Sequence, residues 1–383
     1  MADGYNHHQA DVRFSVYHTR LEQVAYMYDS SNTTPTLPAQ VDAALPYPPS
    51  YIDRFLVAIE NLPAHYGLIY MLLFILQSGL IHIVAWIDGW LPVFSFAPIL
   101  FLFPLWLWFP FTVMTYLNSI SKQALSSFSP LLDLTGEQLE RLGYEFTNMP
   151  SRGVWLGSLI WAVVYLIFSM ASYNTFYVSY GIGLIATSII MLNGLASFLF
   201  GSAIYYHTVH QLRLVNRTVR LVKHFNLFQL NPVYAFSRVT SQTALAWVLL
   251  LSLTLLLFPI QIAFVETLLM LVSQVLLAMA GFVLPLWIVH RRLELEKSEL
   301  QSEHNRRFET TLAELHRYVD AKNYEEVGHI NSVMSGLNAE REVLAKIPTW
   351  PWRTGNLTGF LSAIMLPIII FIIQRVLGRL LGG

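Results

Sequence analysis

Seven long apolar segments alternate with polar stretches along the chain, at about 66–86, 94–117, 154–172, 178–205, 244–264, 267–289 and 357–373. Apolar runs of about 18 residues or more are long enough to cross the hydrocarbon core of a bilayer as a helix. The last of the seven is the shortest. Ahead of the first lie Ile52, Phe55, Leu56, Ile59 and Leu62 at spacings of three and four, with Asp53, Arg54 and Glu60 elsewhere on the helical wheel. This pattern predicts a short amphipathic helix at the membrane interface. After the sixth segment, residues 291–320 run on without Gly or Pro and carry Leu293, Leu300, Leu312, Leu315 and Val319. Beyond a turn near 321–324 come Val327, Ile330, Met334, Leu337 and Leu344, at spacings of three, four, three and seven. Two such stripes predict an antiparallel, coiled-coil-like hairpin. Its arms should be roughly 30–40 Å long, packed on a neighbour or on a helical extension of the fourth segment. That extension is predicted over 205–225, with the helix broken at Pro232. Thr135 suits the N-cap of a short helix reaching Leu142.

The fold class expected is therefore all-α, a polytopic integral membrane helical bundle with a cytoplasmic helical hairpin. It divides into an N-terminal cytoplasmic segment with the interfacial helix (1–64) and a six-helix transmembrane region with cytoplasmic loops 118–153 and 206–242 (65–290). The hairpin (291–347) follows, then a Trp/Pro anchor with the seventh membrane helix (348–383). Composition agrees: 55% of the residues are hydrophobic and 12% charged, about half the charge fraction of a soluble domain. A formal net charge of −1 implies no nucleic-acid partner. The absence of cysteine removes disulfides, thiolate metal sites, iron–sulfur clusters and thiol catalysis. Residues 1–54 are polar, so no signal peptide is read and the first membrane helix is expected to drive insertion.

Positive charge orients the segments. Residues 207–241 hold Arg213, Arg217, Arg220, Lys223 and Arg238 with no acid. Lys122, Arg141 and Arg152 follow the second segment, and Arg291 and Arg292 follow the sixth. The stretches near Asp88, Asn174 and Glu266 hold no Lys or Arg. This alternation places the N-terminus in the cytoplasm. The seventh segment either spans, leaving Arg375 and Arg379 outside, or is re-entrant; its apolar character on all faces favours a span.

Candidate chemistry is sparse. Ion-coupled transporters need carboxylates near the midplane, and voltage sensors need an Arg ladder; neither is present. His82 is the clear intramembrane ionisable residue, read as a packed or interfacial histidine over a proton or metal site. In the fourth segment Gly183, Thr187, Gly194, Ser197 and Gly201 share one face, with Ser188 and Asn193 nearby. The face suits close helix packing or a pore lining. The second segment sets Pro98, Pro104 and Pro110 among aromatic residues, which predicts kinks and a lipid- or dimer-facing element or, as the alternative, a gate. Arg213, Arg217, Arg220 and Lys223 form a basic stripe for anionic lipid headgroups or, as the alternative, an acidic partner or a nucleotide. His207 and His210 have a metal-compatible spacing without a neighbouring carboxylate. His290, His304 and His329 have no evident partners. Trp350 and Trp352, beside Pro348 and Pro351, read as an interfacial anchor. No nucleotide-binding, hydrolase or metalloprotease motif occurs, so no enzyme, cofactor or metal is expected.

Leu230-Asn231-Pro232 with Ala235-Phe236-Ser237, the hairpin, and Ile347-Pro348-Thr349-Trp350-Pro351-Trp352 resemble stretches of an uncharacterised family of bacterial polytopic membrane proteins. The resemblance covers most of the chain from Pro48 onward and implies a bacterial inner-membrane location without implying a function. Two functions are expected from the sequence: an oligomeric ion channel or pore-type transport protein, or a signalling scaffold that docks a cytoplasmic protein through the hairpin.

Overall fold

The computed structural model describes residues 45–171, 173–178, 181–223, 225–257, 264–352 and 354–381. The expectations for the N-terminal segment up to residue 44 fall outside them. The described residues are helical throughout, with one isolated backbone bridge between Pro49 and Pro150. Eleven α-helices follow in order: α1 (Tyr51–Glu60), α2 (Tyr66–Ile87), α3 (Leu102–Phe128), α4 (Gly136–Thr147), α5 (Ser151–Ala171), α6 (Leu184–Ala196), α7 (Ala203–Leu221), α8 (Asn231–Leu257), α9 (Phe264–Asp320), α10 (Tyr324–Lys346) and α11 (Thr354–Leu381).

Among the described residues, six helical stretches are long and apolar enough to cross a membrane: Tyr66–Ile87, Pro98–Leu131, Ser151–Ala171, Leu184–Leu221, Asn231–Leu257 and Thr358–Gly378. The sixth segment of the sequence reading opens α9, a single helix of 57 residues that runs on to Asp320, as the Gly- and Pro-free stretch 291–320 implied. At 1.5 Å per residue α9 is about 85 Å long, far more than a bilayer span requires. The seventh segment lies within the 28-residue α11.

The bundle is organised around α3 and α8, which have the most extensive contact in the molecule; α9 and α11 flank α8. The second segment, expected to face lipid or a second copy, is instead largely buried in the bundle. Leu105, Leu107, Phe111, Met114 and Leu117 of α3 are buried. The three prolines are spread so that each does a different thing. Pro98 opens a 3₁₀ turn (Pro98–Phe101), Pro104 lies in the first turn of α3, and Pro110 is the one inside the helix. Early proline positions cost little because their N–H groups would lack intrahelical acceptors anyway.

A second core lies where the sequence reading had loops. α3 runs on to Phe128, and α8 begins at Asn231, thirteen positions before Ala244. Pro232 falls in the opening turn of α8 rather than ending α7, which stops at Leu221. α4 has the capping box Thr135–Gln138 and extends past Leu142 to Thr147. The ends of α3, α4, α7 and α8 bury Phe128, Phe146, Val215, Val219 and Phe236 together with Leu293 of α9 and Leu344 of α10. Phe236 meets the Phe128 ring edge-on at 4.6 Å and stacks on Phe146 at 5.8 Å. The hairpin base is thus built into this core, on the extension of the fourth segment as the sequence implied.

The hairpin turn is a helix-ending motif. Asn323 N–H donates to the Tyr318 carbonyl and Lys322 N–H to that of Val319, both at 3.0 Å, with Lys322 in the left-handed region at φ 55°.

Candidate functional site

The small-residue face of the fourth segment is filled by neighbours. α6 and α7 are joined by a π-helical turn, Ser197–Gly201, which rotates the face toward α3. The Ser197 hydroxyl donates to the Phe103 carbonyl at 2.7 Å. Any Cβ on Gly201 would collide with the Trp106 carbonyl oxygen, on Gly194 with the Tyr165 hydroxyl, and on Gly183 with the Asp88 carboxylate. Thr187 is buried. Asn193 is hydrogen-bonded to Gln77, whose carbonyl oxygen accepts from the Trp108 indole N–H. All six named positions, Gly183, Thr187, Asn193, Gly194, Ser197 and Gly201, therefore serve helix–helix packing inside the chain. The close approach at Gly201 has a local cause. Pro110 has no N–H, so the carbonyl four residues earlier, that of Trp106, loses its helical donor and stands open to the facing backbone.

His82 is buried with both ring nitrogens engaged: Nδ1 with the Ser78 carbonyl at 2.8 Å, Nε2 with the Ala97 N–H at 3.4 Å. This is the packed histidine that the sequence favoured.

The basic stripe is partly neutralised by acids that sequence distance hid. Arg217 pairs with Glu145 at 2.9 Å, and Lys223 with Asp133 at 2.7 Å. The Lys223 ammonium holds the Asp133 carboxyl below its usual range, but the pair is fully exposed and open to screening by salt. Arg213 and Arg220 carry no ion pair among the described residues and remain exposed. His210 Nε2 meets the Glu145 carbonyl at 2.9 Å and the Tyr47 hydroxyl at 3.4 Å. Among the described residues no group of three metal-ligating side chains converges.

Beside that stripe, residues 46–53 are held by a polar knot. Asp53, placed on the polar side of α1 from sequence, is buried. Its Oδ2 accepts from Ser50 N at 3.0 Å, Ser50 Oγ at 2.7 Å and Met149 N at 2.8 Å. Tyr47 Oη donates to the Asn148 carbonyl at 2.8 Å, and Tyr144 Oη donates to the Tyr47 carbonyl at 2.9 Å. Burial raises the Asp53 carboxyl above its ordinary pKa, against the lowering effect of its hydrogen-bond donors and of His210. The Ser50-x-x-Asp53 capping box was legible in sequence; its long-range partner Met149 was not. Ile52, Leu56 and Ile59 of α1 join the bundle core with Tyr70, Phe111 and Met114, so α1 is an integral part of the fold.

The third feature couples α9 to its surroundings. Arg292 donates to the carbonyl of Val222 at 2.7 Å, just past the end of α7. Lys297 Nζ donates to the carbonyls of Ala345 at 3.0 Å and Ile347 at 2.8 Å, at the end of α10. Cations there satisfy carbonyls that a helix end leaves without donors. Trp350 is sandwiched: the His290 ring stacks on it at 3.9 Å and Trp352 at 4.3 Å, and Trp352 in turn stacks on Phe282 at 5.7 Å. The two tryptophans thus form a ring column tying the α10–α11 connection to α9. Histidines that seemed without partners have them: His290 Nδ1 lies 3.2 Å from the Thr349 carbonyl, and buried His304 lies 3.3 Å from Glu340 across the hairpin.

No family model matches the chain, and no curated protein and no solved structure matches it either.

Proposed function

We propose that this chain is a multi-pass scaffold of the bacterial inner membrane, with its N-terminus in the cytoplasm, whose cytoplasmic hairpin docks a protein partner. The observation that carries this reading is α9, which runs without a break from the apolar bundle to the hairpin turn. Helices transmit displacement along their axis because every backbone bond is local. Clamps at Arg292 and Lys297 and the ring column at Trp350 engage α9 with α7, α10 and the entry to α11. A tilt of the bundle would therefore reach the hairpin. Anionic headgroups would meet the exposed Arg213 and Arg220, and self-association in the bilayer would use the exposed apolar faces of α5 and α11.

The channel reading drew on the small-residue face of the fourth segment. Its positions pack against Trp106, Phe103, Tyr165 and Gln77, which supports the scaffold reading over a pore on that face.

A photo-crosslinking side chain placed at Val333 or Val343, both exposed on α10, tests the proposal in intact membranes. The scaffold reading expects one discrete adduct with another protein, lost when residues 300–340 are replaced by a short turn. Adducts with lipid alone, together with reproducible ion flux from the purified chain in liposomes, would overturn it in favour of a channel.

A further inference from the structure

Between α3 and α7 lies a buried polar seam that neither the packing nor the scaffold reading uses. Its centre is Asn118 Oδ1, which lies 2.9 Å from His207 Nε2 and 3.4 Å from Gln211 Nε2. The Asn118 amide nitrogen donates to the Thr147 carbonyl at 3.3 Å, which fixes the side-chain orientation and leaves Oδ1 as the acceptor. His207 therefore carries its proton on Nε2, and its Nδ1 is a bare acceptor. Gln211 donates through Nε2, so its Oε1 is an acceptor as well. Both atoms are buried and have no hydrogen-bond partner among the described residues. The same holds for Ser121 Oγ, one turn beyond Asn118 on α3, and for Thr218 Oγ1, two turns beyond Gln211 on α7. The four residues Ser121, His207, Gln211 and Thr218 are at most 2% exposed. One turn away in α7, by contrast, Thr208 is satisfied by the Trp247 indole N–H at 3.1 Å.

An unmet buried polar atom is costly, and native proteins meet such atoms with protein groups or ordered water. The partner required here must donate to Nδ1 and Oε1 while also meeting two hydroxyls. None of the hydrogen bonds of this seam involves a carboxylate. A cation would sit in a buried neutral site at a large desolvation cost. Thr218 lies two turns from Gln211, about 10 Å along the α7 axis, so the four atoms call for more than one small neutral molecule that both donates and accepts. Asn118 is only partly buried, so the seam is not closed off on its side.

We infer that the Asn118–His207–Gln211 seam is a binding site for ordered water, making a hydrated pocket between α3 and α7 inside the bundle.

Water-edited solid-state NMR of the full chain, ¹⁵N-labelled and reconstituted in lipid, tests this directly. His207 is identified by the signal lost in His207→Gln, and the exposed His316 serves as the reference. Transfer from water to the His207 ring nitrogens should build up within about twofold of the His316 rate, as expected for direct contact with bound water. Transfer tenfold slower would mean a dry seam and overturn the inference. Displacement of the His207 Nδ1 signal on exchanging potassium for a bulky organic cation would overturn it as well, by identifying a metal cation as the occupant. Both readouts are made on the unsubstituted protein, and where His207→Gln does not fold the His207 ring is assigned there through its correlations to the His207 backbone signals.

Discussion

At the scale of the residue, prolines and glycines act in this bundle through backbone atoms. Pro110 frees the Trp106 carbonyl, and Gly201 is the only residue type that fits against it. Gly201→Ala should therefore destabilise the chain by about 1–3 kcal/mol, the usual cost of overpacking a close contact, read as a lower midpoint of thermal unfolding in detergent. Gln374 of α11 ties that helix to α8, donating to the Leu255 carbonyl at 2.7 Å. Gln374→Leu should loosen α11 from α8, seen as faster protease cleavage of the 348–356 connection and a loss of about 0.6–2 kcal/mol. Asp53 gives a pH dependence. Its carboxyl pKa is raised in the folded chain, so the folded state holds that proton more tightly than the unfolded state. The linked stability is complete below the ordinary carboxylate value and is lost as pH rises through the raised one. Asp53→Asn keeps an acceptor for the Ser50 and Met149 amides and cannot ionise. Hydrogen exchange at those two amides should accelerate with rising pH more in the parent than in the variant, after correction for intrinsic exchange.

At the scale of the element, local signals worked where the cause was local. The heptad spacing placed the hairpin, and Thr135 placed the start of α4. The turn between α9 and α10 breaks a local preference, because Lys322 occupies a left-handed position that glycine takes without cost. Lys322→Gly should stabilise the hairpin by about 0.5–1 kcal/mol, measured as slower proteolysis at 320–324. Lengths were harder to read. The apolar signal ends where the expected bilayer ends; the extensions of α7 and α9 were read from their own patterns, but those of α3 and α8, which bury one face in the second core, were not.

At the scale of the whole molecule, two cores share their long helices, one within the apolar bundle and one at the base of the hairpin. The hairpin beyond Leu300 contributes to neither. Replacing residues 300–340 with a short turn should leave the unfolding midpoint of the remaining chain within a few degrees, since Leu293, Leu344 and Ile347 stay in place. A collapse of the whole bundle would mean that the distal hairpin is structural.

Hydropathy and periodicity by themselves determined the all-helical class, the apolar segments and the hairpin, because burial in lipid or in a two-helix seam imposes a pattern on neighbouring positions. Tertiary structure alone decided what the singled-out residues do. Gly194 and Ser197 meet side chains and backbone from other helices. Arg217 finds Glu145 across 72 positions, and Asp53 finds the Met149 amide across 96. The physical reason is that pairing of polar groups in a low-dielectric interior is specified by where helices cross. No spacing along one helix records that geometry.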